Sequence, residues 1–186
     1  MGTTTERMTV ADYYAITVEG DRKQLVDGRI VVNEPRVTHM RLQTRLLEAF
    51  LSWIRAGSGR GEVLPPVDVR LDDHNLFGPD LNWLSETNLP EPGEELLRRI
   101  PDICAEIRSP STWRYDRGAK KDAYERGGLP ELWLVDDREP RVLVYRRSRP
   151  EEPAFDVSLE LREGDTLTSP QLPGFELALG ELYRDL

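Results

Sequence analysis

Apolar positions along this chain recur with two different periods. Between residues 35 and 57, Leu46, Leu47, Phe50, Leu51 and Ile54 return every three or four positions, which lays one apolar stripe along a helix. Arg41, Arg45, Glu48 and Arg55 take its wet side. A shorter helix is expected over residues 9–16, where Thr9 followed by Asp12 resembles a capping box. Another is expected over residues 112–126, stopped by Gly127-Gly128. A last short one closes the chain near residues 179–184. Strand-like segments lie at residues 29–32, 67–71, 80–84, 102–107, 131–136, 142–146 and 155–161. The turn-prone Asp27-Gly28 before the first of them predicts a hairpin near the N-terminus. Strands predominate, with helices set between groups of them. The pattern predicts an α/β or α+β fold, a curved mixed β-sheet flanked by α-helices. No glycine-rich turn of the GxGxxG or GxxxxGKS type joins a strand to a helix, so Rossmann or P-loop nucleotide binding is not expected.

Length and charge narrow this further. The chain has 186 residues, suited to a single domain over residues 1–186. Hydrophobic residues make up 38%, and 14 glycines bring the apolar share to the range of proteins that bury a core. Apolar runs such as Leu132-Trp133-Leu134-Val135 fall far short of the ~20 residues of a membrane helix. No basic segment followed by an apolar stretch opens the chain, and one cysteine, Cys104, excludes an internal disulfide framework. A cytoplasmic protein with no membrane partner is expected. Against 25 Lys and Arg stand 34 Asp and Glu, a net charge of −9, which opposes a non-specific grip on a phosphate polymer.

Three places carry charged groups that patterning does not demand. In Gly78-Pro79-Asp80-Leu81-Asn82-Trp83, a strand would turn Asp80 and Asn82 to one face; the plain alternative is an aspartate ordering a turn. In Asp102-Ile103-Cys104-Ala105-Glu106-Ile107-Arg108, the apolar flanks bury the strand, so Glu106 needs a partner, either an arginine or a metal. Asp116, Lys120 and Tyr124 are spaced by four and share a helix face, where an ordinary Asp116–Lys120 surface pair is the simpler reading. Together, two carboxylates on neighbouring strands suit one hard cation, Mg²⁺ (or Mn²⁺) rather than zinc. A lysine from the next helix could orient water or offset charge on a phosphate.

The ordered set of motifs resembles the Uma-type restriction-endonuclease family within the PD-(D/E)XK nuclease superfamily. It runs from Met8-Thr9-Val10-Ala11-Asp12-Tyr13-Tyr14 through Leu25-Val26-Asp27-Gly28-Arg29, His39 and Pro79-Asp80-Leu81. It continues through Glu106-Ile107-Arg108-Ser109-Pro110, Asp116-Arg117-Gly118-Ala119-Lys120, Tyr124 and Gly128-Leu129-Pro130-Glu131-Leu132-Trp133 to Leu172-Pro173-Gly174-Phe175. The resemblance implies a restriction-endonuclease-like core and Mg²⁺-dependent hydrolysis of DNA phosphodiesters, with Asp80 and Glu106 as metal ligands. The superfamily lysine lies two residues after the second acid; here Arg108 stands there and Lys120 matches the relocated family lysine. Lys120 is thereby assigned to catalysis, and Arg108 with His39 to the substrate. Gln24 stands where similar chains carry a glutamate and brings no negative charge.

The competing expectation is a catalytically weak or inactive nuclease-fold protein acting as a binding or assembly module, favoured by Gln24 and the acidic balance. A nuclease would gather Arg36, Arg41, Arg98, Arg99, Arg114 or Lys121 around the carboxylates. A homodimer would let a two-fold enzyme address two strands. His74 reads as a loop residue, and Trp53, Trp83, Trp113 and Trp133 as core rather than base-stacking platforms.

Overall fold

A computed structural model of the chain describes residues 7–17, 23–94 and 97–186. Helix α1 (Val10–Ile16) opens on the expected capping box, Thr9 and Asp12 each bonding the other's backbone N–H. The predicted hairpin is β1 (Lys23–Val26) and β2 (Arg29–Val32), turned through Asp27-Gly28 with both residues at positive φ. Helix α2 (Val37–Arg55) follows, burying Leu42, Leu46, Phe50 and Trp53, with Leu47, Leu51 and Ile54 half-buried beside them. The strands β3 (Glu62–Leu64), β4 (Val69–Asp72), β5 (Asn75–Phe77), β6 (Leu81–Leu84) and β7 (Ile103–Ile107) come next. After the second helical region lie β8 (Glu131–Asp136), β9 (Arg141–Arg146), β10 (Val157–Arg162), β11 (Thr166–Leu167), β12 (Leu177–Ala178) and a last helix, α5 (Leu179–Leu182).

The expected mixed sheet has six strands in the order β10-β9-β8-β7-β6-β3. Only β7 and β8 run parallel, and a parallel pair requires a crossover. That crossover is the second helical region, which packs Ala123 and Tyr124 on the sheet face bearing Cys104, Leu132 and Leu134. The opposite face, with Leu81, Trp83, Ile103, Ala105, Ile107 and Trp133, takes α2 and the C-terminal Phe175, Leu179 and Leu182. Phe50 stacks on Trp133 with ring centres 5.4 Å apart. All four tryptophans are buried, as expected of core residues.

The sequence reading is incomplete in two respects. A separate antiparallel sheet, β2-β1-β5-β4, lies beside the main one and sends Val26, Val31 and Phe77 into the same core as Tyr124. Its β4–β5 turn is tied by Asp72, which accepts from the His74 N–H and the Asn75 side chain, so His74 is indeed a turn residue. Residues 112–126 do not form one regular helix. Helix α3 (Trp113–Tyr115) passes through a wider π-type turn (Asp116–Lys120) into α4 (Lys121–Gly127), with Gly118 at non-helical φ −121°, ψ −107°.

Gly128 ends α4 in the left-handed region at φ 87°, and its N–H bonds the Glu125 carbonyl at 3.2 Å. An added Cβ would meet no atom within 4 Å, so the cost of a side chain there is conformational. Gly128→Ala should lower the free energy of unfolding by about 1–2 kcal/mol. Urea titration checks this; an unchanged midpoint would contradict the cap.

Candidate active site

Strand pairing decides where the acids meet. β6 and β7 are antiparallel, with Leu81 opposite Ala105 and Asn82 opposite Cys104. Asp80 immediately precedes β6 and Glu106 follows Ala105 on β7, so the two acids come to the same end of this strand pair. Both are buried on the face covered by α4, as are Asn82 and Cys104. Asp80 Oδ2 accepts from the Ile107 N–H at 2.6 Å, fastening the carboxylate across the two strands.

The side chains around these two acids are fully committed to them. Lys120, only 1% exposed, places Nζ 2.6 Å from Glu106 Oε1 and 3.0 Å from Asp116 Oδ1. Tyr124 donates its hydroxyl to Glu106 Oε1 at 2.6 Å. Asp116 is held in turn by the Thr112 hydroxyl at 2.8 Å, and Thr112 by Ser109 at 2.8 Å. The partner of Glu106 is therefore a lysine rather than an arginine, and the Asp116–Lys120 pair belongs to the interior rather than the surface.

His39 is buried and does not face solvent where a substrate would reach it. Its Nε2 lies 3.0 Å from Asp80 Oδ1 and its Nδ1 3.3 Å from the Arg108 carbonyl. A carboxylate and a carbonyl both accept, so a protonated His39 ring, with an N–H on each nitrogen, satisfies both. Burial opposes that charge, yet the hydrogen bond and charge of Asp80 hold the His39 pKa above its ordinary value. Gln43 adds a 2.8 Å bond to the Asp80 main-chain carbonyl. Arg108 turns the other way: its Nη1 is 2.7 Å from Asp136 Oδ1, and its guanidinium lies over Trp113 at 5.4 Å. Gln24 donates to the Gly78 carbonyl at 3.4 Å, and its buried Oε1 has no hydrogen-bond partner among the described residues.

Charge in this cluster is unbalanced. Three carboxylates (Asp80, Glu106, Asp116) face two cations (Lys120, His39), a sum of −1 when all are ionised. Burial, with Asp116 and Asp80 adding to it against the pull of Lys120, pushes the Glu106 carboxyl up to about 8. Burial also works against the Lys120 ammonium, but Asp116 and Glu106 raise its pKa above the ordinary lysine value. Lys120 therefore stays charged and acts as a donor.

The donor set fits a hard divalent cation. Glu106 Oε2 has no hydrogen bond among the described residues, Asp80 offers carboxylate oxygen beside it, and ionised Glu106 would leave the cluster one positive charge short. No cluster of three or more His, Cys, Asp and Glu side chains able to hold a metal occurs among the described residues. Mg²⁺ needs none, since it takes one or two carboxylates and keeps several waters.

Of the other cations singled out in the sequence, Arg99 pairs with Glu94 at 3.5 Å, Lys121 with Glu125 at 3.8 Å, and Arg114 bonds the Tyr115 hydroxyl. Tyr124 and Asp116 are visible in the sequence as members of a four-residue spacing and of the ordered motif set; their contacts with Glu106 and Lys120 come from packing. Among the described residues no helix is long and apolar enough to cross a membrane.

Residues 10–180 match the sequence profile of a family described as "Uma2: Putative restriction endonuclease". Among solved structures, that of a "putative nuclease belonging to DUF820" from Anabaena variabilis is similar at a TM-score of 0.79, with 18% identity over 95% of this chain and 97% of that one. At that identity the likeness establishes the fold alone. No curated protein matches the chain.

Proposed function

Because the chain belongs to the Uma2 family, described as "Putative restriction endonuclease", we propose that it is a Mg²⁺-dependent (or Mn²⁺-dependent) endonuclease hydrolysing phosphodiester bonds of DNA. The observation that carries this reading is the meeting of Glu106 on β7 with Asp80, which immediately precedes β6 and accepts from the Ile107 N–H, beside a Lys120 ammonium 2.6 Å from Glu106. Asp80 and Glu106 are the cation ligands, with the Ile107 carbonyl as a further oxygen at the same strand end. The cation supplies Lewis-acid polarisation of the phosphodiester and a nucleophile at neutral pH.

The protein's own groups do the rest. His39 and the Ile107 N–H hold Asp80 oriented. Tyr124 fixes Glu106, and Asp116 fixes Lys120, whose ammonium orients the attacking water and offsets charge gathering on the phosphate. With both nitrogens engaged, His39 is assigned to orienting Asp80 rather than to touching substrate. Arg108, anchored on Asp136 and partly exposed, keeps donors free for the phosphate. A cytoplasmic homodimer, each copy addressing one strand, is the assembly proposed with this activity.

Incubation with single- and double-stranded DNA in Mg²⁺, Mn²⁺ or EDTA tests the reading. Cleavage should require the metal and fall by about 100-fold or more in Asp80→Asn and Glu106→Gln. Cleavage that survives EDTA would overturn the mechanism. No cleavage of any polymer would leave the non-catalytic binding module.

A further inference from the structure

The outward face of α2 carries positive charge that the fold leaves unused. Residues 35–47 hold Arg36, Arg41 and Arg45 and no acidic residue, in a chain of net charge −9. Arg36 and Arg41 are exposed and form no ion pair among the described residues, while Arg45 donates to the Leu182 carbonyl at 2.9 Å. With Val37, Met40 and Thr44 these arginines line a shallow depression of about 520 Å³. Val37 is 70% exposed and Met40 48%, among the largest exposures of apolar side chains on the protein.

The inner side of the same helix reaches the acidic cluster. His39 and Gln43 both bond Asp80. Arg36, the N-cap, lies close to one helical turn before His39, and Met40 directly follows His39. One helix therefore reaches Asp80 through His39 and Gln43 and displays unpaired arginines at its N-cap and on its exposed side.

We propose that this face of α2 is the track for a phosphodiester strand, with Arg36 and Arg41 contacting phosphates and Val37 and Met40 packing against sugars. The proposal rests on the nuclease reading and names what holds the polymer. Charge complementarity selects the occupant: Glu48 is the sole acid lining the depression. Arg36 at the N-cap and Arg41 within the helix present two separate cations to such a strand. In an acidic chain no diffuse attraction substitutes for these contacts, so binding depends on them and on salt.

The test is fluorescence anisotropy of a labelled oligonucleotide, single-stranded and duplex, in EDTA over a series of KCl concentrations. Arg36→Ala/Arg41→Ala should weaken binding at low salt and reduce the slope of log K against log salt by about 2, one for each lost phosphate contact. Both substitutions are at the surface, so the melting temperature should hold. An unchanged slope with a wild type that binds and cleaves DNA overturns the track and leaves the nuclease reading intact. An arginine-dependent slope in a protein that cleaves nothing supports the track and overturns the nuclease reading. If the wild type binds no DNA, or the double variant turns a dimer into a monomer with DNA binding unchanged, the track is overturned; in the second case a second copy covers this face.

Discussion

Replacing Lys120 by methionine is expected to destabilise the protein by about 3–5 kcal/mol, because it strips the cation from two buried carboxylates. Nζ sits between Glu106 and Asp116 at 2.6 and 3.0 Å, with no solvent to take its place. For a chain of this length that corresponds to a fall of roughly 6–20 °C in melting temperature, at about 2–4 °C per kcal/mol. Lys120→Met/Asp116→Asn should recover part of the loss, since one of the two uncompensated charges goes with the second substitution. Thermal and urea unfolding of the single and double variants check this. A loss below about 1 kcal/mol would mean the pair is no stronger than an exposed one. Loss of turnover in Lys120→Ala would then report folding as well as chemistry, so activity of any Lys120 variant has to be read beside its melting temperature.

The second large effect follows from Glu106. Its carboxyl, pushed up from 4.5 to about 8 chiefly by burial, binds a proton more tightly in the folded chain than in the unfolded one. This contribution to stability is complete below about pH 4.5 and is lost as the pH rises through about 8. Metal-free protein should therefore become easier to unfold between those values, and Glu106→Gln, which cannot ionise, should flatten the dependence. Asp136 acts oppositely at acid pH. Burial raises its carboxyl, but the Arg108 hydrogen bond and the Arg138 and Glu139 N–H groups hold it below its ordinary value, so its share is lost as the pH falls. A divalent cation held by Asp80 and Glu106 should offset the loss at high pH. At 100 times its dissociation constant it adds about 2.7 kcal/mol, or roughly 5–11 °C. The gain should be larger at pH 8 than at pH 6, where the cation competes with the Glu106 proton. Equal midpoints with and without millimolar Mg²⁺ in wild type and Asp80→Asn would remove the metal site.

Periodicity made much of the framework legible. The stripe through Leu46 and Phe50 announces α2, and Asp27-Gly28 announces the first hairpin, because each is a property of residues close in the chain. The alternation of Ile103, Ala105 and Ile107 with Cys104 and Glu106 already assigned the two faces of β7, which the packing reproduces. Short elements were not legible. β3 and β5 have three residues each, too few to show a period, and without β5 nothing local ties the first hairpin to β4 in the four-stranded sheet. The break at Gly118 was hidden because Asp116, Lys120 and Tyr124 keep the same spacing in a regular helix and in a wider turn.

The sequence by itself singled out the candidate residues: two carboxylates, a lysine, and a strand apolar enough to bury one of them. Only the tertiary structure decided how they are used. Asp80 meets Glu106 through the register of β6 on β7, which long-range pairing sets and no local pattern encodes. Lys120 reaches Glu106 because β7 and β8 are parallel and their crossover must pack back over that strand. His39, assigned from sequence to substrate, is instead drawn under Asp80 by α2, and Arg108 is turned toward Asp136 at the end of β8. A side chain's type is local, whereas its partner in a buried, low-dielectric site is chosen by whichever opposite charge the fold brings within reach.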